Sequence, residues 1–350
     1  MDKPTRDKST KQVYVNRSLN FIKRAYKEAQ EANHDLLKNE KNIYIHSFGS
    51  GNEIKGLTLL NTVIWACKHW AKEITQESWR SYRASLLFLA ELYLQTDLID
   101  QNTFDKINNA VSKTKALNKK EVEARTSAKK QKHLSIQDLK KLDKELSRSK
   151  SQWSVPTRIW LRAGILTVLR PVEWRGAKLI ENNDSVALLV NNAKNTNNRA
   201  NGETRTLHLN HLKPEDINII KSHLRVVGKF NEKKSDWESL YQGCSNLLRN
   251  KNKIIFPLRK KHPTLYSARH QFSANAKASG CKPEEIAALM GHASDLTAQM
   301  TYGKKINGTR GRKPEMEKNE VENVRKHKKT EKYFSFKNLE KNKQNKGNKK

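Results

Sequence analysis

Between residues 16 and 111 apolar positions recur at spacings of three and four, which predicts helices that each bury one stripe. The clearest stripe follows Thr75, a predicted N-cap: Trp79, Tyr82, Leu86, Leu89 and Tyr93 share a face, while Arg80 and Arg83 lie off it. Further helices are predicted over 19–37, 57–74 and 102–111, with a turn-rich stretch at 47–52 between the first two. Together they predict a small all-helical domain over 1–112.

The rhythm stops at 113–134, where Lys, Glu, Ala and Ser crowd out apolar residues, the composition of an exposed linker. Ser135, with Asp138 three residues on, opens a predicted helix over 136–146, and a second over 155–167 leads to Arg170. Strand-like runs at 186–190 and 204–209 predict a hairpin whose Asn- and Gly-rich connection carries Lys194. Helices then return, one over 264–280 closed by Gly280, and one opened by Pro283, Glu284 and Glu285 and ended by Gly291. Past Tyr302 the chain turns to Lys, Asn and Glu, so 307–350 is expected to be a basic tail, mostly disordered without a partner. The expected fold class is mainly α with a small antiparallel sheet: a helical domain, a linker, and a mixed α/β domain over 135–306.

Charge narrows the partners. The 350 residues hold 69 Lys plus Arg against 36 Asp plus Glu, a formal net charge of +33, which points to a polyanion rather than a neutral metabolite. No run approaches the ~18 to 20 apolar residues of a spanning helix, and the polar first ten residues lack the apolar core of a secretory signal. Nucleic acid rather than membrane is the expected partner, in the cytoplasm. Cys67, Cys244 and Cys281 stand far apart in no Cys-x-x-Cys arrangement, which predicts reduced structural thiols and neither a disulfide framework nor a zinc site.

The second half carries residues suited to phosphodiester chemistry without a metal: Arg170, Lys194, Tyr266, Arg269, His292 and Tyr302. Attack on a phosphodiester passes through five-coordinate phosphorus, and preorganised cations must meet the charge on its nonbridging oxygens. Guanidinium stays charged and offers a planar fork to two such oxygens. Arg170 closes one predicted helix and Arg269 lies inside another, so both are expected to be held rigidly. Neither clustered carboxylates nor a His-Glu-x-x-His pair supplies a metal kit, and no cofactor is implied.

Leu-Arg-Pro-Val-Glu at 169–173, Tyr-Ser-Ala-Arg-His at 266–270, Leu-Met-Gly-His at 289–292 and Tyr302, with a lysine on the hairpin between the first two motifs, resemble the tyrosine recombinase (phage integrase) family over about 135–306. The N-terminal part is similar to that family's core-binding domain in its helix content and around 79–94. The resemblance implies an integrase of a mobile genetic element: a C-shaped clamp on double-stranded DNA, a homotetrameric synapse and strand exchange through a Holliday junction. Accessory DNA-bending or directionality proteins are implied with it. It makes Tyr302 the nucleophile of a 3′-phosphotyrosyl link that conserves bond energy without ATP. By the same resemblance Arg170 and Arg269 clamp the scissile phosphate, Lys194 protonates the departing 5′-oxygen, and His292 bonds a nonbridging oxygen. Glu173 then fixes the Arg170 fork, and His270 supports Arg269. Two departures stand out. Tyr266 occupies a place where the family most often has His, and a phenol is a poor base at neutral pH. The interval from His292 to Tyr302 is one residue longer than the commonest form.

Arg80 and Arg83 are candidate phosphate contacts of the helical domain, with a solvated helix face as the plainer reading. Arg310-Gly311-Arg312-Lys313-Pro314 resembles the Arg-Gly-Arg-Pro core of an AT-hook, with one Lys inserted, and makes Arg310 and Arg312 further DNA-binding candidates; a simple polycationic tail is the alternative. Val321, Val324, Tyr333, Phe334 and Phe336 are the apolar candidates for docking the tail on a neighbouring protomer. Two other functions fit the same features: a non-catalytic architectural DNA-binding protein, and a tyrosine-based topoisomerase or telomere resolvase.

Overall fold

In the computed structural model, which describes residues 8–31, 59–117, 130–183, 185–193, 195 and 200–328, the stripe after Thr75 lies at the centre of an all-helical unit. The chain divides into two such units, Met1–Ala124 and Arg125–Lys350. The first contains α1 (Lys8–Glu31), α2 (Leu59–Lys68), a 3-10 turn (Trp70–Lys72), α3 (Gln76–Gln95) and α4 (Gln101–Lys113). Thr75 caps α3 by accepting from the Ser78 amide at 3.2 Å, and Asp100 caps α4 by accepting from Thr103 at 2.7 Å. Trp79, Leu86, Leu89 and Tyr93 are buried with Phe21, Ile22, Val63 and Trp70, and Arg80 and Arg83 are exposed. Helix α1 starts well before residue 19 because its first turns are largely polar and give no stripe to read. The remainder of that predicted helix, 32–37, and the turn at 47–52 lie outside the described residues.

The second unit holds α5 (Ile136–Ser147), α6 (Ser154–Thr167), a 3-10 turn (Pro171–Gly176), and strands β1 (Lys178–Asn182), β2 (Ser185–Asn191) and β3 (Thr204–His208). These are followed by α7 (Pro214–Lys229), α8 (Lys234–Ile255), α9 (Leu265–Ala278), α10 (Pro283–Leu289), α11 (Asp295–Thr301) and α12 (Lys318–Glu322). The fold is mainly helical, with one small antiparallel sheet of order β1-β2-β3 among the described residues. Leu188 on β2 faces Leu179 on β1 and Leu207 on β3, and Val190 faces Arg205. Strand β1 escapes the sequence pattern because it is a mostly exposed edge strand with no alternation of apolar residues. Leu188, Val190 and Leu207 join Trp160, Trp174 and Leu289 in one continuous core. No helix of the described residues is long and apolar enough to cross a membrane.

Two expectations change. The stretch at 113–134 is not an exposed linker at its described ends. Leu117 exchanges backbone hydrogen bonds with Ile74 and Gln76, the Gln131 amide donates to the His262 carbonyl at 3.0 Å, and Leu134 is buried. Residues 118–129 between them lie outside the described residues. The tail is not loose over 307–328. Glu320 accepts from the Thr206 amide at 2.8 Å, Asn201 donates to the Glu320 carbonyl at 2.6 Å, and Arg325 pairs with the 293–295 backbone while Val324 is buried. Both segments are held by backbone bonds to partners remote in sequence, which composition does not reveal. Of the docking candidates, Val324 is therefore occupied within the chain and Val321 packs against the same core; Tyr333, Phe334 and Phe336 lie outside the described residues.

Candidate active site

Helix α6 ends in Val168, which sits at φ 62°, a left-handed conformation that β-branched residues rarely adopt. This turn presents the Val168 carbonyl to Arg269 Nη1 on α9 and places Arg170 at the start of the 3-10 turn. Pro171 opens that turn at a position whose amide needs no helical partner, and Glu173 accepts from the Arg170 amide at 2.7 Å. The Glu173 carboxylate also accepts from Arg170 Nη1, from Arg205 Nη2 at 2.8 Å and from the Ala193 amide at 3.3 Å, while Arg269 Nη1 lies 3.6 Å away. Burial alone would raise its pKa, but Arg205, Arg269 and Arg170 outweigh burial and hold it at about 2. Three guanidiniums around one carboxylate leave positive charge in excess.

Arg205 goes unmarked in the sequence reading. It is 1% exposed, with Nε donating to the Leu289 carbonyl at 2.9 Å and Nη1 to Asn192 Oδ1. The signal was register: on β3 it shares the inward face with Leu207, and an arginine pointing into a core must meet a carboxylate there. Asn192 in turn donates to the carbonyls of Asn201 at 2.8 Å and Gly202 at 3.1 Å, closing the base of the hairpin. Lys194 lies outside the described residues; the Ala193 amide just before it is fixed on Glu173.

The turn after α10 lies against this hub because residue 291 is glycine. Its φ is +61°, and a Cβ there would stand 2.3 Å from Asn192 Oδ1 and 2.9 Å from Arg205 Nη1. The Met290 carbonyl thereby accepts from Arg269 Nη2 at 2.8 Å, and His292 Nε2 lies 3.3 Å from the same nitrogen. Arginine can only donate, so Nε2 accepts and Nδ1 carries the ring proton. Burial, with Arg269, Arg170 and Arg205 nearby, pushes the His292 pKa down to about 2, which makes the ring neutral.

Tyr302 ends α11, which Ser294 caps by accepting from the Leu296 amide at 3.4 Å. The longer interval after His292 is taken up at this cap, where Asp295 is buried and its amide donates to the Arg325 carbonyl at 3.3 Å. The Tyr302 ring lies 5.2 Å from His292 and 4.8 Å from His270, with the Arg269 guanidinium 5.3 Å from its centroid. Its hydroxyl is 2.8 Å from that of Tyr266. Gly303 lets the chain leave across α9, since a Cβ there would meet the His270 carbonyl at 2.2 Å.

Arg170, Glu173, Tyr266, Arg269, His270, His292 and Tyr302 thus share one site, although only one nitrogen of the Arg269 fork, Nε, remains without a bond. Arg269 Nε and His292 Nδ1 are buried with no protein partner. A buried unpaired donor costs ~1–3 kcal/mol, and two of them in a positively charged site suit an oxyanion. Arg80 and Arg83 belong to the first unit, and Arg310 and Arg312 are exposed beyond Tyr302. Among the described residues no group of three or more His, Cys, Asp or Glu could hold a metal ion.

No family model matches the chain, and no curated protein sequence does. Solved structures do resemble it. The XerH site-specific recombinase bound to palindromic difH substrate, a post-cleavage complex, has 15% identity and a TM-score of 0.44 over 87% of this chain and 76% of that one. XerH in a pre-cleavage complex with difH has 17% identity and a TM-score of 0.41 over 69% and 67%. XerA recombinase has 14% identity and a TM-score of 0.35 over 81% and 92%.

Proposed function

We propose that the chain is a site-specific DNA recombinase of the tyrosine type, which cleaves and rejoins duplex DNA through Tyr302. The observation that carries this reading is the convergence of a phenol, three buried guanidiniums and two unpaired buried donors on one site. In the step proposed, the Tyr302 oxygen loses its proton and attacks phosphorus, the bond to the 5′-oxygen breaks, and Lys194 gives that oxygen a proton. The products are a 3′-phosphotyrosyl ester and a free 5′-hydroxyl. Attack by a 5′-hydroxyl from another strand reverses the step and returns the tyrosine, so no external energy source enters.

Each residue has a separate share. Arg170 supplies charge at the phosphate, and Arg269 Nε and His292 Nδ1 supply the hydrogen bonds that a nonbridging oxygen completes. Glu173 keeps the arginines in register, and Tyr266 orients the nucleophile. Two duplexes present four strands, so exchange takes four protomers and passes through a four-way junction. The helical unit, with Arg80 and Arg83, and the strip around Arg310 and Arg312 grip the duplex on either side of the chemistry.

The test uses a randomised duplex pool carrying nicks, so that the released strand end diffuses away and traps the covalent state. The wild-type protein is expected to give a detergent-resistant protein–DNA adduct, and Tyr302→Phe to give none while still binding DNA. An adduct from the Phe variant makes the nucleophile assignment wrong. Relaxation of supercoiled DNA without paired sites would move the reading to a topoisomerase.

A further inference from the structure

Helix α11 is only seven residues long and has no basic residue in its last turn, so its C-terminal carbonyls lack a local cation. Two lysines remote in sequence supply it. Lys277 on α9 donates from Nζ to the Ala298 carbonyl at 2.9 Å and to the Gly303 carbonyl at 2.9 Å. Lys132, on the segment that leads into α5, donates to the Thr301 carbonyl at 3.2 Å. The three acceptors bracket Tyr302: one lies in the middle of its helix, one immediately before it and one immediately after it.

We propose that Lys132 and Lys277 are positioning residues that hold the backbone on both sides of Tyr302 and so fix the phenol over the site. The inference rests on Tyr302 being the nucleophile. Its physical content is geometric. Tyr302 is the C-cap residue, with extended backbone at φ −97° and ψ 174°, where the helix no longer constrains the chain. A single ammonium bonded to residues 298 and 303 closes a loop around that point, and Gly303 seats the loop against the His270 carbonyl. The second ammonium, one residue before Tyr302, holds the last helical carbonyl. Burial lowers the Lys277 pKa to about 8, below the ordinary lysine value, which leaves the group charged at neutral pH. Neither lysine touches the phenol, so neither takes part in the chemistry itself.

The anchors of the two lysines strengthen the case. Lys132 is exposed, yet its backbone is held: the neighbouring Gln131 carbonyl accepts from Ser267 Oγ, and the Leu134 amide donates to Gln271 Oε1 at 2.9 Å. Both of those partners lie on α9, the helix that also carries Tyr266, Arg269 and Lys277. One helix therefore positions the phosphate-binding arginine, the orienting phenol and both clips on the nucleophile's backbone.

The experiment measures single-turnover cleavage at saturating DNA, alongside DNA affinity and thermal midpoint, using a nicked duplex recovered from the trapped pool. Lys277→Met keeps the apolar stem and removes the donor. It is expected to cleave at least ~10-fold more slowly, as displacement of a reacting group predicts, with affinity unchanged and Lys277→Arg recovering part of the rate. Lys132→Ala, at an exposed side chain that folding does not need, is expected to cleave a few-fold more slowly. Should Lys277→Met fold poorly, Lys132→Ala decides alone. Wild-type cleavage rates in the variants overturn this inference and leave the nucleophile reading intact. No adduct from the wild-type protein overturns both.

Discussion

The hydroxyls of Tyr266 and Tyr302 lie 2.8 Å apart, and their surroundings make them unequal. Burial raises Tyr266 to about 12. Burial would raise Tyr302 as well, but Arg269, the hydrogen bond from Tyr266 and Arg170 outweigh it and bring its pKa below the ordinary tyrosine value. Tyr266 is therefore the donor and Tyr302 the acceptor, the order a nucleophile needs.

It follows that Tyr266→Phe should raise the Tyr302 pKa by removing a donor to its ionised form. The phenolate fraction grows with pH, so the rising limb of the cleavage–pH profile is expected to move to higher pH, with a loss of ~10-fold or more at neutral pH. Single-turnover cleavage across pH 6 to 10 checks this. An unshifted limb would show that Tyr266 is a packing residue only.

Arg205 is the structural counterpart of this pair, buried where it touches no substrate. Arg205→Met leaves Glu173 and Asn192 each short of a partner in a buried hub, and breaking one side of a buried ion pair typically costs ~3–5 kcal/mol. Arg205→Lys should recover little, because one ammonium cannot span Leu289, Asn192 and Glu173 as the fork does. Urea unfolding checks both variants; a change under ~1 kcal/mol would contradict the hub's role.

Acid stability should depend on His223, which is fully buried between Trp160 and Trp174, with both ring nitrogens unpaired. Burial lowers its pKa to about 3, below the ~6.5 of an unfolded histidine. Between those values the unfolded chain binds more protons, so this contribution is complete above ~6.5 and is lost as pH falls toward 3. His292, lowered to about 2, acts with the same sign, and Glu173, held at about 2, adds its loss below ~4.3. Urea midpoints at pH 7.5 and 5 should differ clearly in the wild type and less in His223→Phe. Equal differences in the two proteins would refute the assignment.

Beyond Tyr302, the amides of Thr309 and Gly311 are bound to Asn275 at 3.0 Å and Ser279 at 2.9 Å, which holds Arg310 and Arg312 on an anchored, exposed strip. If the strip meets DNA phosphates, replacing both arginines with Ala should lower the slope of log affinity against log salt by ~1–2. Lys313 is paired with Glu285 at 2.8 Å, so its replacement should matter less. An unchanged slope would remove the strip from the DNA interface.

Much of this was legible in the chain. The caps at Thr75 and Ser135, the α3 stripe and the glycine stops at Gly280 and Gly291 depend on near neighbours, which a sequence displays directly. Arg170, Tyr266, Arg269, His292 and Tyr302 stood out by residue type and order, and the fold brings them to one place. What the sequence hid depends on remote partners. Arg205 acquires its meaning from Glu173, thirty-two positions away, and Lys132 from Thr301. Strand β1 lacks alternation because neither face is buried deeply, and the strap through Glu320 and Arg325 looks like a charged tail until β3 and the 293–295 backbone receive it.

The central claim is that the Tyr302 oxygen becomes bonded to DNA phosphorus. The most direct measurement is mass spectrometry of the trapped adduct after nuclease and protease digestion. The account predicts a 3′-phosphoryl nucleotide on the peptide carrying Tyr302, at that residue. A nucleotide on any other side chain, or an adduct persisting in Tyr302→Phe, would contradict it.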